Sequence, residues 1–284
     1  MTRNELEIRE KAVLSAYRDN NIEMGVDYVM RLYERNKRKK LYRFRPPKQR
    51  EIEAIRKSQI YLCRPRLYED SGDCEWIDDI EALAKYDVTV RNSQKYRYVK
   101  KQITPEKYKE IVDNLKQNPR YIEMKEKVRN MCLVSCITDK MNDYMWEQYT
   151  SNSEGICLEY EFEDVLKAIA DLNIRFFPVR YVEDRSKTKD IQFGPDEYAD
   201  DAPDELMERK YILSCMTKSK IPYAKESEWR VLCEDMDDSI KKGKLFDFAK
   251  PGKIYLGKNI FKNDVFETGI VEAANELGIP TIYI

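Results

Sequence analysis

The stretch SKIPYAKESEWRVLCED, residues 219–235, contains an unambiguous alternation of apolar and polar side chains. Side chains two positions apart in a β-strand point to the same face of the sheet. A strand in this stretch therefore places Trp229, Val231 and Cys233 together on an apolar face. We expect these three side chains to belong to the hydrophobic core.

The opposite face of the same strand carries Glu226, Glu228 and Arg230. Two interpretations of this acidic face are open. It is either a catalytic pair of carboxylates or an ordinary solvated strand face over a core. Because exposed strand carboxylates beside an arginine are common, the stretch taken alone favours the solvated face.

The rest of the chain shows a mixture of short strand patterns and helix patterns. Apolar runs and alternations predict further strands at 41–45, 60–65, 131–137, 156–162, 175–182, 244–249, 253–257 and 281–284. Helix-period spacing predicts helices near 4–19, 23–38, 47–58, 77–86, 105–117, 119–129, 143–150, 163–172, 203–218 and 263–277. Because the strands and helices do not alternate regularly, an α+β fold with a mixed, largely antiparallel sheet and flanking helices is predicted.

The domain organisation follows from the same patterns. The first two predicted helices precede every predicted strand, so we expect an N-terminal helical extension at 1–40. One α+β domain is then expected at 41–284. A chain of 284 residues has room for one large domain with such an extension.

The composition excludes several classes of site. The chain has no histidine, and its formal net charge is −1. Ser-His-Asp and Cys-His catalysis are therefore excluded within this chain, and so are zinc sites that need histidine. An enzyme of this composition has to use carboxylates, Arg, Lys, Tyr, Ser or Cys, and the leading expectation includes no metal.

The cysteines and the hydropathy bear on the compartment. The seven cysteines are an odd number, and none forms a C-x-x-C pair. Free thiols in a reducing cytoplasm explain this usage best. Since no apolar run approaches the ~18–20 residues that span a bilayer, we expect a cytoplasmic protein without a membrane partner.

A basic run extends through residues 35–66. Such a run binds nucleic acid when its cations meet phosphates, although no aromatic RNA-binding signature accompanies it. A phosphate-bearing small molecule explains Arg43, Arg45 and Arg64 on adjacent strands equally well. The third interpretation is a solvated helix end that pairs with the acidic stretch after it.

The acidic loop YEDSGDCEW, residues 68–76, contains Asp70 and Asp73. Two carboxylates are a weak signal for a divalent metal, and turn-stabilising hydrogen bonds explain them as well. Together with Glu226 and Glu228 they would form the four-carboxylate site of a metal-dependent nuclease.

Trp146 and Tyr149 stand three residues apart on the short helix predicted at 143–150. This spacing places both rings on one side of the helix. Core packing is the more common reason for such a pair, and stacking on a ligand is the alternative.

The ordered set of these islands resembles a bacterial family called domain of unknown function 2971. The islands that carry the resemblance are LYRFR at 41–45, RLYEDSGDC at 66–74, MWEQYTSNSEGICLEYEF at 145–162, KSKIPYAKESEWRVL at 218–232 and KIYLG at 253–257. In the acidic loop, Glu69 replaces the usual Asn and Ser71-Gly72 replace Pro-Phe. The resemblance covers about 41–284 and supplies no established function.

A looser similarity connects the same plan with ADP-ribosyltransferases. The similarity implies NAD as cofactor, with Arg43 or Arg45 on its phosphates. It implies that Trp146 or Tyr149 stacks on the nicotinamide.

The same similarity makes Glu228 the catalytic carboxylate, assisted by Glu226, with Arg230 among the cofactor-binding residues. Ser135 occupies the middle strand, where such enzymes carry a Ser-Thr-Ser motif that is absent here.

Three hypotheses of function follow. The first is an NAD-using transferase or NAD-cleaving effector, with a defence or toxin role in a bacterium, and it requires Arg43, Tyr149 and Glu228 to meet in one cleft. The second is a nucleic-acid-acting protein with 35–66 as its footprint and a carboxylate metal site. The third is a non-enzymatic ligand-binding or interaction module.

Overall fold

The computed structural model describes most of the chain. The described residues are 1–35, 40–68, 73–80, 82–83, 119–170, 174–197, 203–234 and 242–284, with 104, 106, 109, 110, 113, 114 and 117. Asp70 and seven of the thirteen residues of the helix predicted at 105–117 lie outside them.

Helices and one main sheet make up the described part of the chain. The helices are α1 (Arg3–Val13), α2 (Ile22–Arg35), α3 (Gln49–Arg56), α4 (Pro119–Arg129), α5 (Asp143–Tyr149), α6 (Phe162–Ile169), α7 (Asp204–Cys215) and α8 (Asp264–Glu276), with a π-helical turn at Leu14–Arg18 and a short helical turn at Lys220–Tyr223. The main sheet contains β1 (Lys40–Arg45), β2 (Gln59–Cys63), β4 (Cys132–Thr138), β5 (Ile156–Glu161), β6 (Ile174–Pro178), β10 (Glu228–Glu234), β11 (Gly243–Asp247), β12 (Lys253–Leu256) and β13 (Thr281–Tyr283). Two small sheets pair β3 (Ile77–Asp78) with β8 (Gln192–Phe193) and β7 (Arg180–Val182) with β9 (Thr217–Ser219).

Among the described residues, the main sheet is antiparallel at every pairing except that of β12 with β13. Strands and helices do not alternate as β-α-β units along most of the chain. The predicted α+β fold with a mixed, largely antiparallel sheet is therefore confirmed.

The main sheet forks at β4. Strand β10 pairs with every residue of β4, so it occupies one whole edge of that strand. The other edge is shared, because β1 pairs there at Thr138 and β2 pairs at Val134. Strands β1 and β2 therefore separate beside the middle of β4, at Ser135 and Cys136.

The predicted apolar face of β10 is confirmed as core. Trp229 and Val231 have no exposed surface, and Cys233 is buried. Trp229 stacks on Phe176 of β6 and meets the ring of Phe162 of α6 edge-on. These aromatic contacts fix β10 in the centre of the molecule.

The first helix packs into the same core as the sheet. Thr2 caps α1, and Glu5 returns the hydrogen bond in a capping box, which explains why the helix begins there. Ala12 and Val13 are fully buried in the cluster that contains Trp229.

Three predicted elements differ from the structure in the described residues. The helix predicted near 77–86 begins as a strand, because Ile77–Asp78 forms β3 and pairs with β8. The strand predicted at 175–182 is divided at Val179, because β6 joins the main sheet whereas β7 turns away to pair with β9. The helix predicted at 203–218 ends at Cys215, and Thr217–Ser219 forms β9 instead.

Candidate functional site

A kink in front of β10 sets the directions of the two glutamates. Glu228 is the first strand residue, whereas Ser227 has a left-handed backbone with φ of 48°. Glu226 therefore lies outside the strand, and the alternation that placed it beside Glu228 does not apply to it. Both carboxylates nevertheless meet the same cation.

That cation is Lys218 of β9. Its Nζ lies 2.7 Å from Oε2 of Glu226 and 3.0 Å from Oε2 of Glu228. The same nitrogen lies 3.6 Å from Oδ2 of Asp73. We call Asp73, Lys218, Glu226, Glu228 and Arg230 the carboxylate cluster.

Arg230 is the second cation of the carboxylate cluster and has no exposed surface. Its Nε donates to Glu228 over 2.6 Å, and one terminal nitrogen donates to both oxygens of Asp73 over 2.7 Å. The other terminal nitrogen contacts Cys74 and the carbonyl of Cys215. Arg230 thus connects the strand to the acidic loop and has no surface to offer a cofactor.

The expectation of a solvated acidic face was wrong. Glu226 is 2% exposed and Glu228 is 4% exposed. The reason is that Asp73 of the acidic loop and Lys218 of β9 cover this face. A buried carboxylate is retained only when cations and hydrogen bonds compensate its lost hydration, and Lys218 and Arg230 provide that compensation.

The charges of the carboxylate cluster shift the pKa values of the two glutamates in opposite directions. Burial, and then the charge of Glu228, raises the pKa of Glu226 to about 7. Burial alone would also raise the pKa of Glu228, but Arg230 and Lys218 reverse this and hold that pKa well below its ordinary value. Burial alone would lower the pKa of Lys218, but Glu228 and Asp73 hold it above its ordinary value.

The net charge explains this separation. With Glu226 ionised, three carboxylates face two cations, and the buried cluster has one uncompensated negative charge. With Glu226 protonated, the charges balance. One proton near neutral pH therefore belongs to the cluster, and Glu226 is the residue that exchanges it.

Helix α5 brings Tyr149 to Glu226. Asn142 caps this helix by accepting from the Met145 N–H over 3.0 Å. At the other end the Tyr149 hydroxyl donates to Oε1 of Glu226 over 2.5 Å, and the side chain is 37% exposed. Trp146 is buried and packs edge-on against Phe44, so it is a packing residue and has no free face for a cofactor.

Replacing Tyr149 with phenylalanine should raise the pKa of Glu226 further. The hydroxyl donates to the carboxylate and so favours its ionised form, which is lost in Tyr149→Phe. A ¹³C NMR titration of the Glu226 carboxyl measures the change. Tyr283→Phe is the matched control, because Tyr283 donates to the distant Glu267. A lower or unchanged Glu226 midpoint in Tyr149→Phe would contradict this expectation.

Arg43 does not reach the carboxylate cluster. Glu228, Thr138 and Tyr42 are paired in one row across three strands and share a face of the sheet. Arg43 follows Tyr42 and so points to the opposite face. The convergence of Arg43, Tyr149 and Glu228 that the transferase hypothesis requires is therefore found only for Tyr149 and Glu228.

Arg43 and Arg45 are held by one carboxylate of α3. Glu51 accepts from Arg45 over 2.6 Å and from Arg43 over 3.4 Å. Arg43 is buried and reaches Ser135 of β4 over 3.4 Å, in the fork of the sheet. The Arg45 side chain keeps 20% of its surface exposed and is the more accessible of the two.

The basic run at 35–66 does not form one continuous surface in the described residues. Arg43 and Arg64 are buried, and Arg64 donates to the carbonyl of Asn130. Exposed cations of the run are Lys48, Arg50, Arg56, Lys57 and Arg66. Residues 36–39, which contain three of its cations, lie outside the described residues.

The carboxylates do converge as the metal hypothesis expects, but a lysine occupies their centre. Asp73, Glu226 and Glu228 all lie within 3.6 Å of the Lys218 ammonium. Among the described residues, no group of three or more His, Cys, Asp or Glu side chains is arranged to hold a metal ion. The cluster is neutralised by protein cations in the place where a metal would bind.

Lys218 is the site residue that sequence reasoning missed. It opens the quoted island KSKIPYAKESEWRVL, but it was predicted at the end of a helix, with no reason to face the glutamates. Tyr181 was missed as well, and its hydroxyl accepts from the Glu228 N–H over 2.9 Å. The eight-residue spacing between Lys218 and Glu226, across a proline turn, is the local signal that was available.

A family model described as Protein of unknown function (DUF2971) matches residues 145–231. The match is narrower than the expected 41–284, and it contains every member of the carboxylate cluster except Asp73. No curated protein and no solved structure matches the chain. In the described part of the chain, no helix is long and apolar enough to cross a membrane.

Proposed function

We propose that the protein is an enzyme that cleaves the nicotinamide–ribose bond of NAD and transfers the ADP-ribosyl group to water or to an acceptor. The observation that carries this proposal is that the carboxylates of Glu226 and Glu228 both contact the ammonium of Lys218. One carboxylate is held ionised and the other exchanges a proton near neutral pH. Two such groups with separated pKa values are the usual requirement for acid–base chemistry at a glycosidic carbon.

Cleavage of NAD needs one carboxylate that stays ionised and one that can take up a proton. When the C1′–N bond breaks, the electron pair leaves with the nicotinamide nitrogen, and this neutral leaving group needs no proton. Positive charge develops on the ribose, and the ionised Glu228 stabilises it electrostatically. The attacking O–H forms the new C1′–O bond and loses its proton to Glu226.

The spacing of the carboxylates supports a role at an anomeric carbon. Oε2 of Glu226 lies 2.7 Å from Nζ of Lys218, and Oε2 of Glu228 lies 3.0 Å from the same nitrogen. This arrangement is compatible with the ~5–5.5 Å between the carboxyl groups of retaining glycosidases. A lysine between them keeps Glu228 ionised without occupying all of its oxygens' hydrogen-bonding directions.

The surroundings of the carboxylate cluster supply an aromatic ring for binding. Tyr149 is partly exposed next to Glu226 and is the ring against which we place the nicotinamide. Arg45 is partly exposed, but it stands two residues after Arg43 on β1 and so lies on the same face of the sheet as Arg43, away from Glu228. We therefore assign no phosphate contact to Arg43 or Arg45, and the buried Arg230 and Trp146 support the site without touching NAD.

The test is incubation of the purified chain with NAD labelled in the nicotinamide and in the adenylate. Release of nicotinamide, with ADP-ribose or a labelled acceptor as the second product, is the expected result. Glu147→Gln, which changes an exposed glutamate of α5, is the matched preparation control. If wild-type protein neither consumes NAD nor transfers label, alone or with bacterial lysate as acceptor, the proposal is wrong.

A further inference from the structure

Arg9 of α1 reaches the back of the Glu226–Ser227–Glu228 turn. The residue is 1% exposed, although it stands on the first helix of the chain, more than two hundred residues away. One terminal nitrogen donates to the Glu228 carbonyl over 2.8 Å. The other donates to the Ser227 hydroxyl over 3.1 Å and to the Ser227 carbonyl over 3.4 Å.

The backbone of this turn is satisfied mainly from outside β10. The Glu226 carbonyl accepts from the Thr138 hydroxyl, and the Glu226 N–H donates to the Tyr223 carbonyl over 3.0 Å. The Glu228 carbonyl accepts from the Val179 N–H over 2.9 Å as well as from Arg9. Since buried backbone groups need partners, Arg9 is one of the groups that decide the shape of the turn.

Arg9 is itself fixed from two sides. It pairs with Asp139 over 2.8 Å, and both side chains are 2% exposed. Asp139 also accepts from Nε1 of Trp229 over 3.0 Å, and the Arg9 guanidinium lies 5.3 Å from the centre of the Trp229 ring. With its charge neutralised and its donors directed at the turn, Arg9 has no contact to offer a substrate.

We propose that Arg9 is a positioning residue, which holds the Ser227 and Glu228 carbonyls so that both glutamates stay against Lys218. The first helix is then a functional part of the site and not only an extension. That the two glutamates form a catalytic site rests on the proposed function, whereas the positioning of their backbone by Arg9 does not. A looser turn would let Glu226 move from Lys218 and Glu228 into water.

The test follows the Glu226 carboxyl by ¹³C NMR titration in the full chain. In wild type we expect a midpoint near 7. In the double variant Arg9→Met/Asp139→Asn, which removes both buried charges together, we expect the midpoint to fall by at least about one pH unit toward the ordinary value. Arg3→Met, on the exposed side of the same helix, is the matched control and should leave the midpoint unchanged.

Arg9→Lys is measured alongside. Lysine keeps the ion pair with Asp139, but it lacks the planar guanidinium that donates to the Ser227 and Glu228 carbonyls together. We expect its midpoint to fall as well, so the test stands even if the double variant does not fold. An unchanged Glu226 midpoint in a folded Arg9→Lys or double variant overturns the proposal. If the midpoint shifts but wild type does not cleave NAD, the positioning stands and the proposed function fails.

Discussion

Glu228→Gln should lose about 10²–10³-fold of the nicotinamide release, the range measured when one preorganised electrostatic group is removed from an active site. Glutamine keeps the shape of the side chain but has no charge to set against the developing ribosyl cation. The loss should appear in kcat more than in KM, because Glu228 is nearly fully buried and acts on the transition state.

The same variant should remain folded. In wild type, Asp73, Glu226 and Glu228 face Lys218 and Arg230. In Glu228→Gln two carboxylates remain against two cations, so the charges of the cluster balance. The pKa of Glu226 should fall, since the charge of Glu228 is one cause of its elevation.

Rates of nicotinamide release and urea unfolding curves check this pair of expectations. Glu147→Gln is again the matched control, with wild-type rate and stability. Full activity in Glu228→Gln would contradict the assigned role. An inactive variant that is also unfolded would leave the loss without a catalytic meaning, and Glu228→Asp, which keeps the charge, then distinguishes the two causes by its recovery.

Strand β10 shows how much of a structure a local sequence pattern can predict. The strand itself and the core positions of Trp229, Val231 and Cys233 follow from alternation alone, and the structure confirms them. Alternation also places Glu228 and Arg230 on one face. It does not apply to Glu226, because the left-handed Ser227 interrupts the strand period, and no glycine or proline marks that position.

The partners of the two glutamates had no comparable signal. Asp73 and Arg9 come from a loop and from the first helix, far away in the sequence, whereas Lys218 comes from a three-residue strand that the sequence predicted as the end of a helix. A periodicity argument treats every charged position as an outer face. The burial of this acidic face depends on tertiary contacts, which is why the sequence predicted solvent there.

For the arginines of β1, the sequence predicted the strand correctly but could not predict which face of the sheet they occupy. Arg43 and Arg45 were correctly placed on one short strand, β1. Which face of the sheet they occupy depends on the register of β1 against β4, and a shift of one residue reverses it. The observed register, with Tyr42 opposite Thr138, turns Arg43 away from Glu228 and toward Glu51.

A buried charge network is weak evidence for stability. Well-packed apolar side chains of similar volume often stabilise a core as well or better. A network designed only for stability would also balance its charges, whereas this one carries an odd carboxylate whose proton leaves near neutral pH. Such an uncompensated group is more typical of functional sites, and its cost should be measurable.

Glu226→Gln should be more stable than wild type above pH 7 and inactive in NAD cleavage. The folded protein holds a proton on Glu226 up to pH about 7, whereas the ordinary value is 4.5. Between these two values the folded state binds more protons than the unfolded state, so wild-type stability falls as the pH rises through this window. Integrated over the window, the loss is about 3 kcal/mol at pH 8.

Glutamine does not titrate and therefore avoids this loss. Its amide oxygen can accept from Lys218, and its NH₂ can donate to the Tyr149 hydroxyl, which then acts as acceptor. The depressed pKa of Glu228 acts in the opposite direction, adding stability that is lost toward acid pH, and it is present in both proteins. The difference between them should thus be small at pH 4.5 and reach about 3 kcal/mol at pH 8.

Urea unfolding of both proteins from pH 4.5 to 8 measures this difference. Glu147→Gln, on the exposed side of α5, should follow wild type across the whole range. A Glu226→Gln protein that is equally or less stable than wild type at pH 8 would show that Glu226 is an ordinary buried ion-pair member. A more stable but inactive variant would mean that the chain keeps a destabilising carboxylate for its chemistry, as expected where function and stability compete.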